Sequence, residues 1–322
     1  MTDQPFFNLS PDVILDALED VGFRPTGSLL ALNSFENRVY QVELEDDSFV
    51  VTKFYRPGRW SDAQILEEHT FTLELTEAEL PCVAPLVRND ISLFPYEGHR
   101  FAVYPRQGGR PPDLEIEDNL KVLARTLARI HAYGATADFE HRVTLDYQRF
   151  GFDSRTYLIE NDWIPVEMSE AYASITEHLL DRITDLWPAD PGMRIHGDCH
   201  MGNLLWRDET PNFVDFDDCA TGPPIQDLWM LLSGSRDERQ RQLNVILEAY
   251  EPFFHFNGGE LRLIEPLRTL RIMYHAAWIA RRWEDPAFPV AFPWFGDMRF
   301  WSQHVLELRE QQAALDEPPL SI

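Results

Sequence analysis

The sequence predicts an α+β protein of two lobes, a smaller N-terminal one built on an antiparallel sheet and a larger, mainly helical C-terminal one. Three observations predict it. Strand patterning is concentrated in the first 105 residues, where apolar runs at 29–44, 49–55, 91–95 and 100–104 are separated by short polar turns. Next comes Pro105-Arg-Gln-Gly-Gly-Arg-Pro-Pro112, the densest turn-forming segment of the chain. Beyond it, apolar residues recur mainly at helical spacing. The boundary is set near residue 105, giving lobes of 1–105 and 106–322.

In order along the chain, Ser10-Pro-Asp12 opens a helix, with Pro at a first-turn position, Val13, Ile14, Leu15 and Leu18 as its apolar face, and Gly22 just past its end. Residues 29–44 read as strand, turn, strand. The turn, Asn33-Ser-Phe-Glu-Asn37, contains no glycine, but its Ser and Asn side chains and backbone N–H groups are hydrogen-bond donors. Phe49-Val-Val-Thr-Lys-Phe-Tyr55 pairs with the preceding strand, and a period of two puts Lys53 on the face of Phe49, Val51 and Tyr55. A lysine on an apolar face needs an anion, because an unpaired buried charge is costly. Ser61-Asp-Ala-Gln64 is a capping-box start for a helix through Glu79 that carries Glu67 and Glu68, either of which could supply that anion.

In the second lobe, residues 119–133 carry Leu120, Leu123, Leu127 and Ile130 at helical period, with Gly134 as a stop. Residues 154–187 read as one or two helices broken near Pro165. Asp227-Leu-Trp229 begins a buried helix, 239–250 and 260–283 are long helices, 286–295 is an irregular strap, and a last helix covers 300–314.

Composition limits the function. With 28 basic against 54 acidic side chains the formal charge is −26, which excludes the cationic stripes of a nucleic-acid binder. Only Lys53 and Lys121 are lysines, so a retained Lys invites a local reason. Three cysteines, Cys82, Cys199 and Cys219, form no framework and suit a reducing cytosol. No basic and apolar leader and no run long enough to span a bilayer are visible, so no membrane contact is expected and a cytoplasmic monomer is the default.

The chemistry is concentrated in residues 193–218. His196-Gly-Asp-Cys-His-Met-Gly-Asn203 runs into the apolar Leu204-Leu-Trp206, and after a turn at 208–212 Phe213-Val214 delivers Asp215 at a strand end. Asp198, Asn203 and Asp215 thus offer a carboxylate, a carboxamide and a second carboxylate, hard oxygen donors suited to Mg²⁺. Spaced in this way they resemble kinase loops in which one Asp takes a hydroxyl proton while an Asn and a later Asp hold metal. Lys53 would pin the phosphates of ATP. Two rival readings use the same atoms. His196, Cys199 and His200 with Asp198 could form a transition-metal site, and Asp215, Asp217 and Asp218 a phosphohydrolase centre. Neither a P-loop nor a dinucleotide fingerprint occurs.

These motifs resemble the aminoglycoside-phosphotransferase-like kinases, and more narrowly a branch of bacterial serine/threonine protein kinases of stress responses. The branch-level likeness covers nearly the whole chain, including Leu32-Asn-Ser-Phe-Glu-Asn-Arg-Val-Tyr-Gln41, Gln226-Asp-Leu-Trp-Met-Leu-Leu232 and Ala280-Arg-Arg-Trp-Glu-Asp-Pro-Ala-Phe-Pro289. The resemblance implies a protein-kinase-like fold with nucleotide bound by the N-terminal lobe. It implies ATP as co-substrate, Mg²⁺ as metal, and a protein acceptor bearing Ser or Thr. It makes Asp198 the catalytic acceptor, Asn203 and Asp215 metal ligands, Ser34 and Lys53 nucleotide contacts, Glu68 the partner of Lys53, and Asp227 a brace for the catalytic loop. A small-molecule kinase acting on an amine-bearing hydroxyl compound is the alternative. The chain departs from protein kinases in having no glycine-rich loop and too few residues between Asp215 and Gly222 for an activation segment.

Overall fold

A computed structural model describes residues 5–322. Helix α1 (Pro11–Asp20) starts as expected, with the Ser10 hydroxyl accepting from the Val13 N–H. It packs on a five-stranded antiparallel sheet of β1 (Pro25–Ala31), β2 (Arg38–Leu44), β3 (Phe49–Phe54), β4 (Phe94–Tyr96) and β5 (His99–Pro105), in the order β1-β2-β3-β5-β4. One face of β3, Val50 and Phe54, joins Ile14, Leu18, Val42 and Phe101 in the sheet core. The other face carries Lys53 towards the second lobe, as the alternation of a strand requires. β3 is the central strand, so Lys53 cannot reach water by an edge. Between β3 and β4, helix α2 (Asp62–Glu77) has the expected capping box, Ser61 with Gln64.

β4 is shorter than the sequence suggested. It pairs with β5 only over 94–96, through a turn in which Glu97 and Gly98 both have positive φ, the signature of a tight two-residue hairpin. Ile91 instead bridges back to Arg88.

The remainder is largely helical: α3 (Glu117–Gly134), α4 (Asp153–Glu160), α5 (Val166–Leu186), α6 (Ile225–Trp229), α7 (Arg236–Tyr250), α8 (Ile264–Arg281), α9 (Ala287–Ala291) and α10 (Met298–Asp316). Between α5 and α6 lie two small antiparallel pairs, β6 (Met193–Ile195) with β9 (Ala220–Gly222), and the hairpin of β7 (Leu204–Arg207) with β8 (Thr210–Phe213). The hairpin turn is tighter than the sequence suggested, two left-handed residues, Asp208 and Glu209. Gly134 is the last helical residue of α3 rather than a stop beyond it. A Cβ there would lie 2.2 Å from the Arg194 carbonyl, so glycine lets α3 approach β6.

The core of the second lobe extends into the first. Phe71 and Leu75 of α2 pack in one cluster with Leu127 of α3, Phe213 and Phe216, which fixes α2 against the loop after β8. The linker is fixed similarly. Arg110 exchanges backbone hydrogen bonds with Trp206 of β7 (3.2 and 2.7 Å), and a Cβ on Gly109 would meet Leu205 at 2.8 Å. No helix among the described residues is long and apolar enough to cross a membrane.

Candidate active site

The loop after β6 is shaped from beneath. Gly197 has φ +84°, and a Cβ there would lie 2.2 Å from the Asp218 carbonyl, so only glycine fits. The fully buried Asp227, at the start of α6, accepts the backbone N–H groups of His196 and Gly197, both at 2.8 Å. His131 and Tyr250 extend this network, with His131 Nε2 3.1 Å from Asp227 and Nδ1 2.7 Å from the tyrosine hydroxyl. His196 is a structural brace. Its Nδ1 accepts the Asp198 N–H (3.3 Å), which leaves Nε2 to donate to the Val214 carbonyl (3.0 Å).

That brace presents Asp198 and Asn203 together. Asn203 Nδ2 donates to the Asp198 carbonyl oxygen at 2.9 Å, which turns Oδ1 away as a free acceptor. The Asp198 carboxylate is 2.5 Å from Arg271 of α8 and 3.4 Å from His200. Burial works to raise its pKa, but the His200 hydrogen bond and the charge of Arg271 hold it below the ordinary carboxylate range. The Val214 N–H donates to the Asn203 carbonyl at 3.0 Å, which ties the hairpin exit to the loop and brings Asp215 alongside. Asp215 has φ 59° and ψ 65°, a left-handed conformation costing a non-glycine residue about 1 kcal/mol. Such strain collects at functional positions.

Lys53 meets this group from the sheet. Its ammonium is 2.9 Å from Asp215, 3.2 Å from Asp217 and 3.7 Å from Glu68. Burial alone would lower its pKa, but the three carboxylates raise it well above the usual lysine value, so it stays charged. Half of the Asp215 side chain is exposed to the cleft, whereas Asp217 is buried and also held by Asn37 and Arg59. Glu68 is buried, and its pKa is pushed up to about 7, chiefly by that burial and against the opposing charge of Lys53. The choice between adjacent glutamates is resolved, because Glu67 points elsewhere and accepts the backbone N–H groups of residues 140–142.

Neither rival reading survives. Among the described residues no group of three or more His, Cys, Asp or Glu side chains is arranged to hold a metal. Cys199 is buried, and both ring nitrogens of His196 are engaged. Asp217 and Asp218 are engaged by Arg59, with Asp218 at 2.6 Å, rather than open to a second metal.

Ser34 is half-buried at the tip of the turn between β1 and β2. This turn is tied to the second lobe by a charge network invisible in the sequence. Asp285 accepts from Arg56 (2.7 Å) and Arg38 (2.9 Å), and Glu36 pairs with Arg56 (2.9 Å) and Arg282 (2.6 Å) and accepts from Trp278 Nε1 (2.6 Å). Phe35 rests on Phe292, ring centroids 5.2 Å apart. Asp285→Ala therefore leaves Arg56, which is buried, with Glu36 as its one carboxylate partner among the described residues, beside the Phe35 carbonyl. A loss of about 2 kcal/mol is expected, the scale of a hydrogen bond to a charged group, measurable by denaturant unfolding. Arg59, Arg142 and Arg271 also contact the loop residues, at Asp217, the Asp217 carbonyl and Asp198 respectively. Their only sequence signal is the preference for arginine, which does not single them out.

A family model described as "Phosphotransferase enzyme family" matches residues 28–264. The chain belongs to that family. The chain is an ATP-dependent kinase. Stress response kinase A of Escherichia coli (strain K12) is 44% identical over 318 residues, 98% of this chain and 97% of that protein. Serine/threonine protein kinase RdoA of Salmonella typhimurium is 43% identical over the same shares. Among solved structures, amicoumacin kinase hAmiN in complex with AMP-PNP, Ca²⁺ and Ami aligns with TM-score 0.73 at 16% identity, covering 96% of this chain and 95% of that one. The family fold therefore spans both lobes, and the expected kinase-like α+β architecture is the observed one.

Proposed function

We propose that this family member is a Mg²⁺-dependent serine/threonine protein kinase of a bacterial stress response, with residues 1–105 as nucleotide-binding lobe and 106–322 as catalytic lobe. One observation carries the catalytic reading, the meeting of Lys53 with Asp215 at 2.9 Å beside the Asp198–Asn203 pair. The protein substrate and the stress response rest on the printed names of relatives 44% and 43% identical over nearly the whole chain.

In this reading Lys53 holds the α and β phosphates of ATP, with Glu68 keeping it in place and Ser34 contacting nucleotide from the turn above. Linker backbone between β5 and Arg110 faces the adenine. The donor set suits a hard cation, since Asn203 Oδ1 is left free by its own amide and Asp215 opens to the cleft. Those two side chains would hold Mg²⁺, which when bound neutralises charge on the phosphate oxygens. Asp198 orients the acceptor hydroxyl and takes its proton as the oxygen bonds the γ-phosphorus and the β,γ-bridging bond breaks, releasing ADP.

Transfer of label from γ-labelled ATP to a generic protein substrate tests the proposal. Transfer should stop on chelation, return with added Mg²⁺, and fall about 100-fold in kcat/KM in Lys53→Met, the scale of losing one aligned electrostatic contact. Transfer indifferent to chelation, or confined to small amino alcohols, would reject it.

A further inference from the structure

Asp198 does not stand open to an acceptor, because Arg271 Nη1 lies 2.5 Å from its Oδ1. A hydroxyl approaching that oxygen must share it with the guanidinium, which competes for the same carboxylate. The Arg271 side chain is 42% exposed, so it can swing away, but a cation withdrawn from its partner inside a cleft needs another anion.

The nearby carboxylate of Asp218 is already held by Arg59 at 2.6 Å, and the surroundings add further cations. One turn along α8 from Arg271, Tyr274 packs on Phe150 with ring centroids 4.6 Å apart. The neighbouring Arg149 reaches the Trp60 ring (5.4 Å), where Arg59 also lies (5.2 Å). Arg281, ten residues and about 15 Å further along the helix axis, donates among the described residues only to the Asp153 carbonyl oxygen, at 2.9 Å. Among the described residues neither Arg149 nor Arg281 pairs with a carboxylate. In a chain of formal charge −26, α8 and the segment packed against it thus carry two arginines besides Arg271 that no carboxylate neutralises among the described residues.

We propose that the acceptor is an acidic segment, a Ser or Thr with carboxylate side chains within about four positions, and that Arg271 reads it. In the free enzyme Arg271 pairs with Asp198. When substrate binds it transfers to an acid beside the acceptor residue, which frees Asp198 for the hydroxyl, while Arg149 and Arg281 meet acids further along. An amine-bearing or basic acceptor would instead bring a cation against these arginines, a repulsion that selects against it. This inference rests on the protein-kinase reading for the word segment, but not for the sign of the charge.

The test uses the full-length protein with Mg²⁺ and ATP and two peptides alike except that the residues flanking one serine are Glu or Lys. A hydroxy acid and an amino alcohol serve as small-molecule arms. Wild type should favour the Glu peptide at least 10-fold in kcat/KM, chiefly through KM. Arg271→Glu should abolish or invert that ratio, and Arg271→Lys should restore part of it, with KM for ATP unchanged in both. If only the hydroxy acid is phosphorylated, the protein-kinase reading falls and the anionic acceptor stands. A preference for the Lys peptide or the amino alcohol overturns the proposal. So does the same peptide ratio in Arg271→Glu, a rise only in KM for ATP, or no acceptor preferred in its anionic form.

Discussion

Asp198→Asn lowers kcat by about 10²–10⁴-fold, the contribution of a positioned general base, while the affinity for an ATP analogue changes little. The asymmetry follows from where the carboxylate sits. Its oxygens face Arg271 and His200, whereas Lys53 pairs with Asp215, the two groups proposed to meet nucleotide and metal. Asn is nearly isosteric and its carbonyl oxygen still accepts from Arg271, so the loop keeps its shape and the loss is chemical. Initial rates of phosphoryl transfer, set beside equilibrium binding of a non-hydrolysable analogue, separate the two effects. Unchanged kcat would remove Asp198 from the chemistry, and loss of nucleotide binding would place it on the wrong side of the cleft.

Asp227→Ala carries the largest expected cost to stability. It strips the acceptor from the His196 and Gly197 N–H groups and from His131, all in a region without access to water. At about 1–3 kcal/mol for each buried donor left unpaired, and with some relaxation, the expected loss is about 4 kcal/mol. Thermal and denaturant unfolding would report it. Activity should fall in the folded fraction too, because the same two N–H groups shape the loop that presents Asp198. Asp227→Asn should lie between, since its Oδ1 satisfies one donor while its Nδ2 confronts the other. Wild-type stability in the alanine variant would mean that the brace is dispensable.

What the sequence disclosed and what it hid divide along the range of the interactions. Asp198, Asn203 and Asp215 are legible because one loop and one hairpin bring them together within eighteen residues, so their spacing is itself the geometry. Lys53 follows from strand alternation, and the start of α2 from Ser61 and Gln64, again local rules. Glu68 could be told from Glu67 only by the family register, because both lie on one helix and the difference lies in what each faces across the molecule. The pairings of Arg56 with Asp285 and of Arg271 with Asp198 join residues 229 and 73 positions apart and leave no periodic trace. Gly134 departs from its expected role as a helix stop for a related reason. Its constraint is the approach of β6, sixty residues later, and not the end of its own helix.

Lys53, Asn203 and Asp215 are proposed to enclose a metal–triphosphate group. A crystal structure with a non-hydrolysable ATP analogue and Mg²⁺ tests it most directly. Mg²⁺ is expected at about 2.1 Å from oxygens of both Asn203 and Asp215, with the Lys53 ammonium moved from Asp215 onto a phosphate oxygen. A triphosphate bound away from Lys53, or a metal held by neither side chain, would contradict it.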